Sequence, residues 1–174
     1  MTSEDQDLSA EDIATSLMRR RRIRRWSIIF IAALWFSGLT AVPLVSGTRW
    51  LAELTLAWPG QWHGWADAVA TAIADIDARY PFVFYGTDWL AFAHIIIGMA
   101  FIGVLRDPVR NRWVVEWGLW SCALVVVFAF GWAPVRGIPL FWRCVDASFG
   151  IVGAVPLGLV LRDIRALEHE PERT

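Results

Sequence analysis

The sequence predicts an all-α fold: an integral membrane bundle of four transmembrane helices with an external amphipathic helix at the interface. Three observations carry it. The chain of 174 residues is 56 % hydrophobic with 12 Trp and only 19 % charged, and its mean hydropathy of +0.45 is too high for a soluble domain with one core. Four windows, each near the length that crosses a bilayer, carry almost no charge. The Arg side chains fall mostly on one side once those windows are threaded. The same composition excludes a disordered chain. A formal net charge of -1 without a separate basic domain argues against nucleic acid as a partner.

Residues 1–25 are expected to form a flexible cytoplasmic N-terminal tail ending in an Arg cluster. The stretch MTSEDQDLSAEDIATSLM has too few large apolar groups to repay ordering. Within it, Ser9, Glu11 and Asp12 suit the start of a short helix through Ile13 and Leu17, because a Ser cap and first-turn acids satisfy free amides. Arg19, Arg20, Arg21, Arg22, Arg24 and Arg25 follow. They are assigned to anionic lipid headgroups at the inner face, at about 1 kcal/mol each. Acting only as a topology signal is the plainer role for the same residues.

The first span is placed at 26–46, WSIIFIAALWFSGLTAVPLVS, which holds no ionisable group. Arg residues before an apolar stretch also suggest an export signal. This stretch exceeds the about 7 to 15 residues of a signal core, and no A-x-A site follows, so it reads as an uncleaved anchor. Pro43 should kink its outer end.

Segment 47–87 is expected outside. Trp62, Trp65, Val69, Ile73, Ile76 and Tyr80 recur at steps of three and four, which predicts an interfacial helix over 62–80. A shorter piece, Thr48 to Trp58, offers Trp50, Leu51, Leu54 and Trp58 on one side, and Pro59-Gly60 separates the two.

The remaining spans fall at 88–105, 113–133 and 143–161, and 162–174 is expected as a cytoplasmic C-terminal tail. Small residues should let the spans approach: Ala33, Ser37 and Ala41 on the first, the small members of the stripe Thr87, Ala91, His94, Gly98 and Phe101 on the second, and Gly150, Gly153, Ala154 and Gly158 on the fourth. Pro156 should kink the last. Twelve Arg flank the spans on the side of the termini and four, Arg49, Arg79, Arg136 and Arg143, on the other, so both termini are expected in the cytoplasm.

Charged groups near a bilayer core are costly and each needs a reason. Asp88, His94, Arg136, Arg143 and Asp146 should gather near the outer interface, with His94 about 9 Å below Asp88 at 1.5 Å per residue. Two readings stay open. Asp88 and Asp146 neutralise Arg136 and Arg143 and so fix the loop APVRGIP, or the five residues form an outward-facing pocket for a headgroup, an anion or a proton-coupled substrate. His94 is either a hydrogen-bonding group across the bundle or a proton relay. It is the only His in a span, so no metal, haem or other cofactor is expected. Glu116 should pair with Arg106, Arg110 or Arg112. Cys122 and Cys144 lie at different depths, which excludes a disulfide between them, and no recognised catalytic spacing occurs.

The blocks YPFVFYGTDWLAFAH, RDPVRNRW, PVRGIPLFWR and DASFG resemble a group of uncharacterised bacterial four-span inner-membrane proteins. The resemblance covers Tyr80 to Leu167, with SGLTAVPL as a weaker extension. It implies an intact domain in the bacterial inner membrane and transfers no catalytic residue. The expected function is a non-catalytic accessory or scaffold subunit that meets the bilayer and another membrane protein. The alternative is a small transporter or lipid-handling enzyme using the polar cluster.

Overall fold

The computed structural model describes residues 3–169, with side chains from residue 13 onward, and its regular structure is entirely helical. Proline sets the punctuation. Pro43, Pro59 and Pro139 precede α2, α3 and α7, while Pro81 and Pro134 open short 3₁₀ turns. A residue without an N–H is tolerated at a helix start, where that donor would lack an intrahelical acceptor.

The order is α1 (Ser3–Thr40), α2 (Leu44–Leu54), α3 (Gly60–Arg79), α4 (Tyr85–Ala100), α5 (Ile102–Arg106), α6 (Arg112–Gly131) and α7 (Leu140–Glu168), with 3₁₀ turns at Thr55–Ala57, Pro81–Phe84 and Ala133–Arg136. Three helical stretches, Pro81–Arg106, Arg112–Gly131 and Leu140–Glu168, are long and apolar enough to cross a membrane. A fourth is added if Ile13–Thr40 and Leu44–Ala57, bent by 96°, count as one span.

Several boundaries differ from expectation. Helix α1 starts at Ser3 and is continuous with the first apolar window, where a flexible tail is predicted over 1–25. The capping role of Ser9, Glu11 and Asp12, and Arg173 in the C-terminal tail, lie outside the residues whose side chains are described. The first window does not run as one helix from 26 to 46. It stops at Thr40, turns over 41–43 and resumes as α2. Pro43 breaks the helix rather than kinking it, since its ring disfavours helical backbone at Val42. Residues 162–168 are the end of α7 and not a tail: Asp163, Ile164 and Leu167 are buried.

The chain forms two compact units. In the first, Met1–Ala32 with Met99–Thr174, Phe101, Val104, Val115, Leu157, Val160 and Ile164 are almost fully buried. The Phe30 and Phe101 rings lie 4.8 Å apart, within the range of favourable aromatic pairs. Helices α6 and α7 approach closely because Gly150 lies against the carbonyl of Cys122 and Gly118 against Phe101 and Leu157.

The second unit is Ala33–Gly98. Here Gly38 of α1 faces His94, so that an added Cβ would come within 2.6 Å of the His94 Cβ, and Gly98 of α4 sits under the Trp35 ring. Trp35 Nε1 donates to the Ile95 carbonyl at 3.1 Å. The close approach expected of the Ala91–His94–Gly98 stripe is therefore present, and its partner face carries Trp35 and Gly38.

The helix expected over 62–80 is α3, and it packs on α2. Ala52 and Ala66 are buried, while His63 Nδ1 donates to the Ala52 carbonyl at 3.2 Å. A carbonyl can only accept, so this bond places the proton on Nδ1. Trp50, Leu54 and Trp58, expected on one side of the shorter piece, are more than 45 % exposed. Small residues win the α2–α3 contact because they permit close backbone approach.

Candidate functional site

The five residues of the expected polar cluster divide between the units. Asp88 and His94 lie on α4 in Ala33–Gly98; Arg136, Arg143 and Asp146 lie in the other unit, on the Ala133–Arg136 turn and on α7. Asp88 is exposed in the first turn of α4. His94 is half-buried, and its Nδ1 donates to the Leu90 carbonyl of its own helix at 2.7 Å. That leaves Nε2 as an acceptor.

The Arg–Asp pairing expected within the α7 region is not made. Among the described residues, Asp146 has no ion pair within 4.0 Å with Arg136 or Arg143. Arg143 Nε instead donates to the Ile138 carbonyl at 2.6 Å. Helical side chains lean toward the N-terminus, so Arg143 reaches back over the turn that Gly137 makes with φ 70°. Asp146, three residues later, is left on the helix wall. Arg143→Ala is therefore expected to lower stability by about 1 to 2 kcal/mol, and Asp146→Asn to leave it within about 0.5 kcal/mol. Thermal unfolding of both variants in detergent checks this, and a larger loss for Asp146→Asn would restore the pairing.

What remains at this end is a groove of about 700 Å³ between α6, the Ala133–Arg136 turn and α7. Leu124, Val125, Phe128 and Trp132 give it large apolar walls, and Arg136 and Asp146 also line it. A second cavity, of about 470 Å³, lies between α2 and α3, with Arg49, Glu53, His63, Asp67 and Asp75 on its walls. No group of three or more His, Cys, Asp or Glu able to hold a metal occurs among the described residues.

The densest charge network among the described residues lies elsewhere, around the C-terminal turns of α7. Arg22 of α1 grips Asp163 with two hydrogen bonds, Nε to Oδ2 and Nη2 to Oδ1. Arg162 Nε stands 3.8 Å from the same carboxylate. Beside it, Arg112 bonds both Glu116 and Glu168 at 2.8 Å, and Arg165 lies 3.9 Å from Glu116. The expected Glu116–Arg112 pair is present. Arg22, assigned from sequence to lipid headgroups, is instead committed to Asp163. Ser27, one turn further along α1, is buried with its hydroxyl unpartnered among the described residues.

Sequence reasoning missed Asp163 and Glu168 because the apolar window ends at Leu161. The signal was present in the spacing of Leu157, Val160, Leu161, Ile164 and Leu167, which continues the buried stripe of α7 past that point. No family model matches the chain, and neither a curated protein nor a solved structure matches it.

Proposed function

We propose that the chain is a polytopic bacterial inner-membrane protein with both termini in the cytoplasm, acting as a non-catalytic accessory or scaffold subunit. The observation that carries the membrane reading is the outer surface of α6 and α7. Trp120, Leu124, Val127, Phe128, Phe149 and Val152 are each more than 60 % exposed, an amount of large apolar surface that is rare on a soluble monomer and that acyl chains would cover. The likeness of its sequence blocks to four-span inner-membrane proteins supports the same class.

The distribution of Arg supports the orientation. Arg20, Arg21, Arg24 and Arg25 remain exposed and are available to anionic headgroups at the inner face. The scaffold reading draws on Trp50, Leu54, Leu56 and Trp58, which leave a large apolar stripe uncovered along α2 and the following turn. Aromatic side chains of this kind are suited to a partner surface at the membrane interface.

Single-Cys labelling, with Cys122 and Cys144 replaced by Ala, tests the orientation. Reagent applied outside should modify probes at Ala68 and Asp77, and a probe at Arg110 should react only from the cytoplasm. Cytoplasmic access alone at Ala68 or Asp77 would overturn the topology. Co-purification after mild detergent extraction tests the role, since a stoichiometric membrane partner is expected. A second reading, a small transporter or lipid-handling enzyme, is favoured by one observation: the apolar groove lined by Arg136 and Asp146.

A further inference from the structure

Two opposite charges line one apolar groove without meeting each other. Arg136 lies exposed on the 3₁₀ turn at one edge, and Asp146 lies half-buried on α7. Neither forms an ion pair or a side-chain hydrogen bond with another described residue. The groove's volume of about 700 Å³ lies within the range of small-molecule sites, and Leu124, Val125 and Phe128 give it a hydrocarbon wall.

Each charge asks for a different partner. A guanidinium presents a planar fork that suits a phosphate. A carboxylate beside hydrocarbon is costly unless a cation or donor reaches it. Arg136 stands at the exposed edge and Asp146 half-buried on the helix wall, so a donor lying in the groove would replace water at Asp146 with an opposite charge. One molecule that carries a phosphate, an ammonium a few bonds away and an acyl chain offers a partner to each of the three surfaces that line this groove.

We infer that the groove binds a zwitterionic aminophospholipid, with its phosphate on Arg136, its ammonium on Asp146 and one acyl chain along Leu124, Val125 and Phe128. This rests on the membrane reading above and gives the lipid-binding alternative a ligand class. The two charges together select among lipids. Phosphatidylglycerol also offers a phosphate to Arg136, but it brings no cation to Asp146 and adds net negative charge beside it. Phosphatidylethanolamine satisfies both residues.

The test uses the full chain purified from membranes in mild detergent and incubated with phosphatidylethanolamine and phosphatidylglycerol of matched acyl chains. Retained lipid is counted by mass spectrometry of the intact complex. The parent is expected to prefer phosphatidylethanolamine by about tenfold, the effect of one charge-assisted hydrogen bond. Asp146→Asn should level the two lipids, and Arg136→Gln should reduce retention of both. Leu124→Trp, at an exposed position on the wall, should also reduce both while keeping the preference, which separates occupancy from selection.

Equal retention by the parent, or a preference that survives Asp146→Asn, would overturn the inference. So would unchanged retention in Arg136→Gln. Alkaline carbonate extraction of the same membranes separates the two levels of the argument. Protein released by carbonate overturns the membrane reading and this site with it, whereas protein that stays in the membrane but binds both lipids equally overturns this site alone.

Discussion

Replacing Arg22 with Gln is expected to destabilise the unit that contains α6 and α7 by about 3 kcal/mol, near the lower end for breaking a buried ion pair. The asymmetry of the pair sets the direction. Asp163 has a side chain only 2 % exposed, while that of Arg22 is 40 % exposed. Removing the guanidinium strands a carboxylate away from water, with Arg162 at 3.8 Å as a partial substitute. Removing the carboxylate charge leaves an Arg that can turn to solvent. Asp163→Asn keeps the size and one acceptor, so its expected cost is about 1 kcal/mol. The double replacement Arg22→Met with Asp163→Leu should recover most of the stability, because apolar groups of similar volume avoid the desolvation cost altogether. Thermal unfolding of the parent and the three variants in detergent measures these differences. Equal losses for Arg22→Gln and Asp163→Asn would show that burial of the carboxylate does not govern the pair.

Gly150→Ala should cost about 2 kcal/mol, and Gly158→Ala should be neutral or stabilising by up to about 1 kcal/mol. Both glycines belong to the small-residue stripe of α7. At Gly150 an added Cβ would fall against the backbone carbonyl of Cys122, which cannot move without parting α6 from α7, whereas at Gly158 nothing lies within 4 Å. Gly153 is intermediate, since its nearest neighbour is the Cys122 thiol at 3.2 Å, and Gly153→Ala should cost less than Gly150→Ala. Urea or thermal unfolding in detergent ranks the three variants. A Gly158→Ala variant as damaged as Gly150→Ala would mean that the whole stripe packs.

The α7 stripe also shows where a sequence pattern stops being informative. Recurrence of small residues says that a helix can be approached, and at Gly150 and Gly98 it is approached. On α1 the same rule pointed to Ala33, Ser37 and Ala41, yet Ala33 is exposed and the face turned to α4 carries Trp35 and Gly38. A large ring over a glycine fills the contact as well as two small residues do, and the spacing of small residues alone does not reveal it.

In the candidate site the five residues were all legible as costly charges in or beside apolar windows, but their partners were not. Arg143 and Asp146 are three apart on one helix, a spacing that allows a pair. Side-chain direction sent Arg143 back to the Ile138 carbonyl instead. The Glu116–Arg112 pair could be read at i, i+4 because both partners sit on α6, so the helix itself sets their separation. The Arg22–Asp163 contact joins residues 141 positions apart, a distance over which no local periodicity operates.

The helical class and the apolar windows are legible in the amino-acid sequence alone, because hydropathy and proline act through the nearest few residues of backbone. Only the tertiary structure decided that the first window breaks into α1 and α2 at 96°, that α7 continues buried to Leu167, and that Asp163 rather than a headgroup takes Arg22. The break itself follows locally from Pro43 and only its angle had to come from the structure, whereas the other two outcomes depend on which side chain of a distant helix arrives at a given place. That is a matter of packing volume and charge in three dimensions, and it leaves no fixed spacing along the chain.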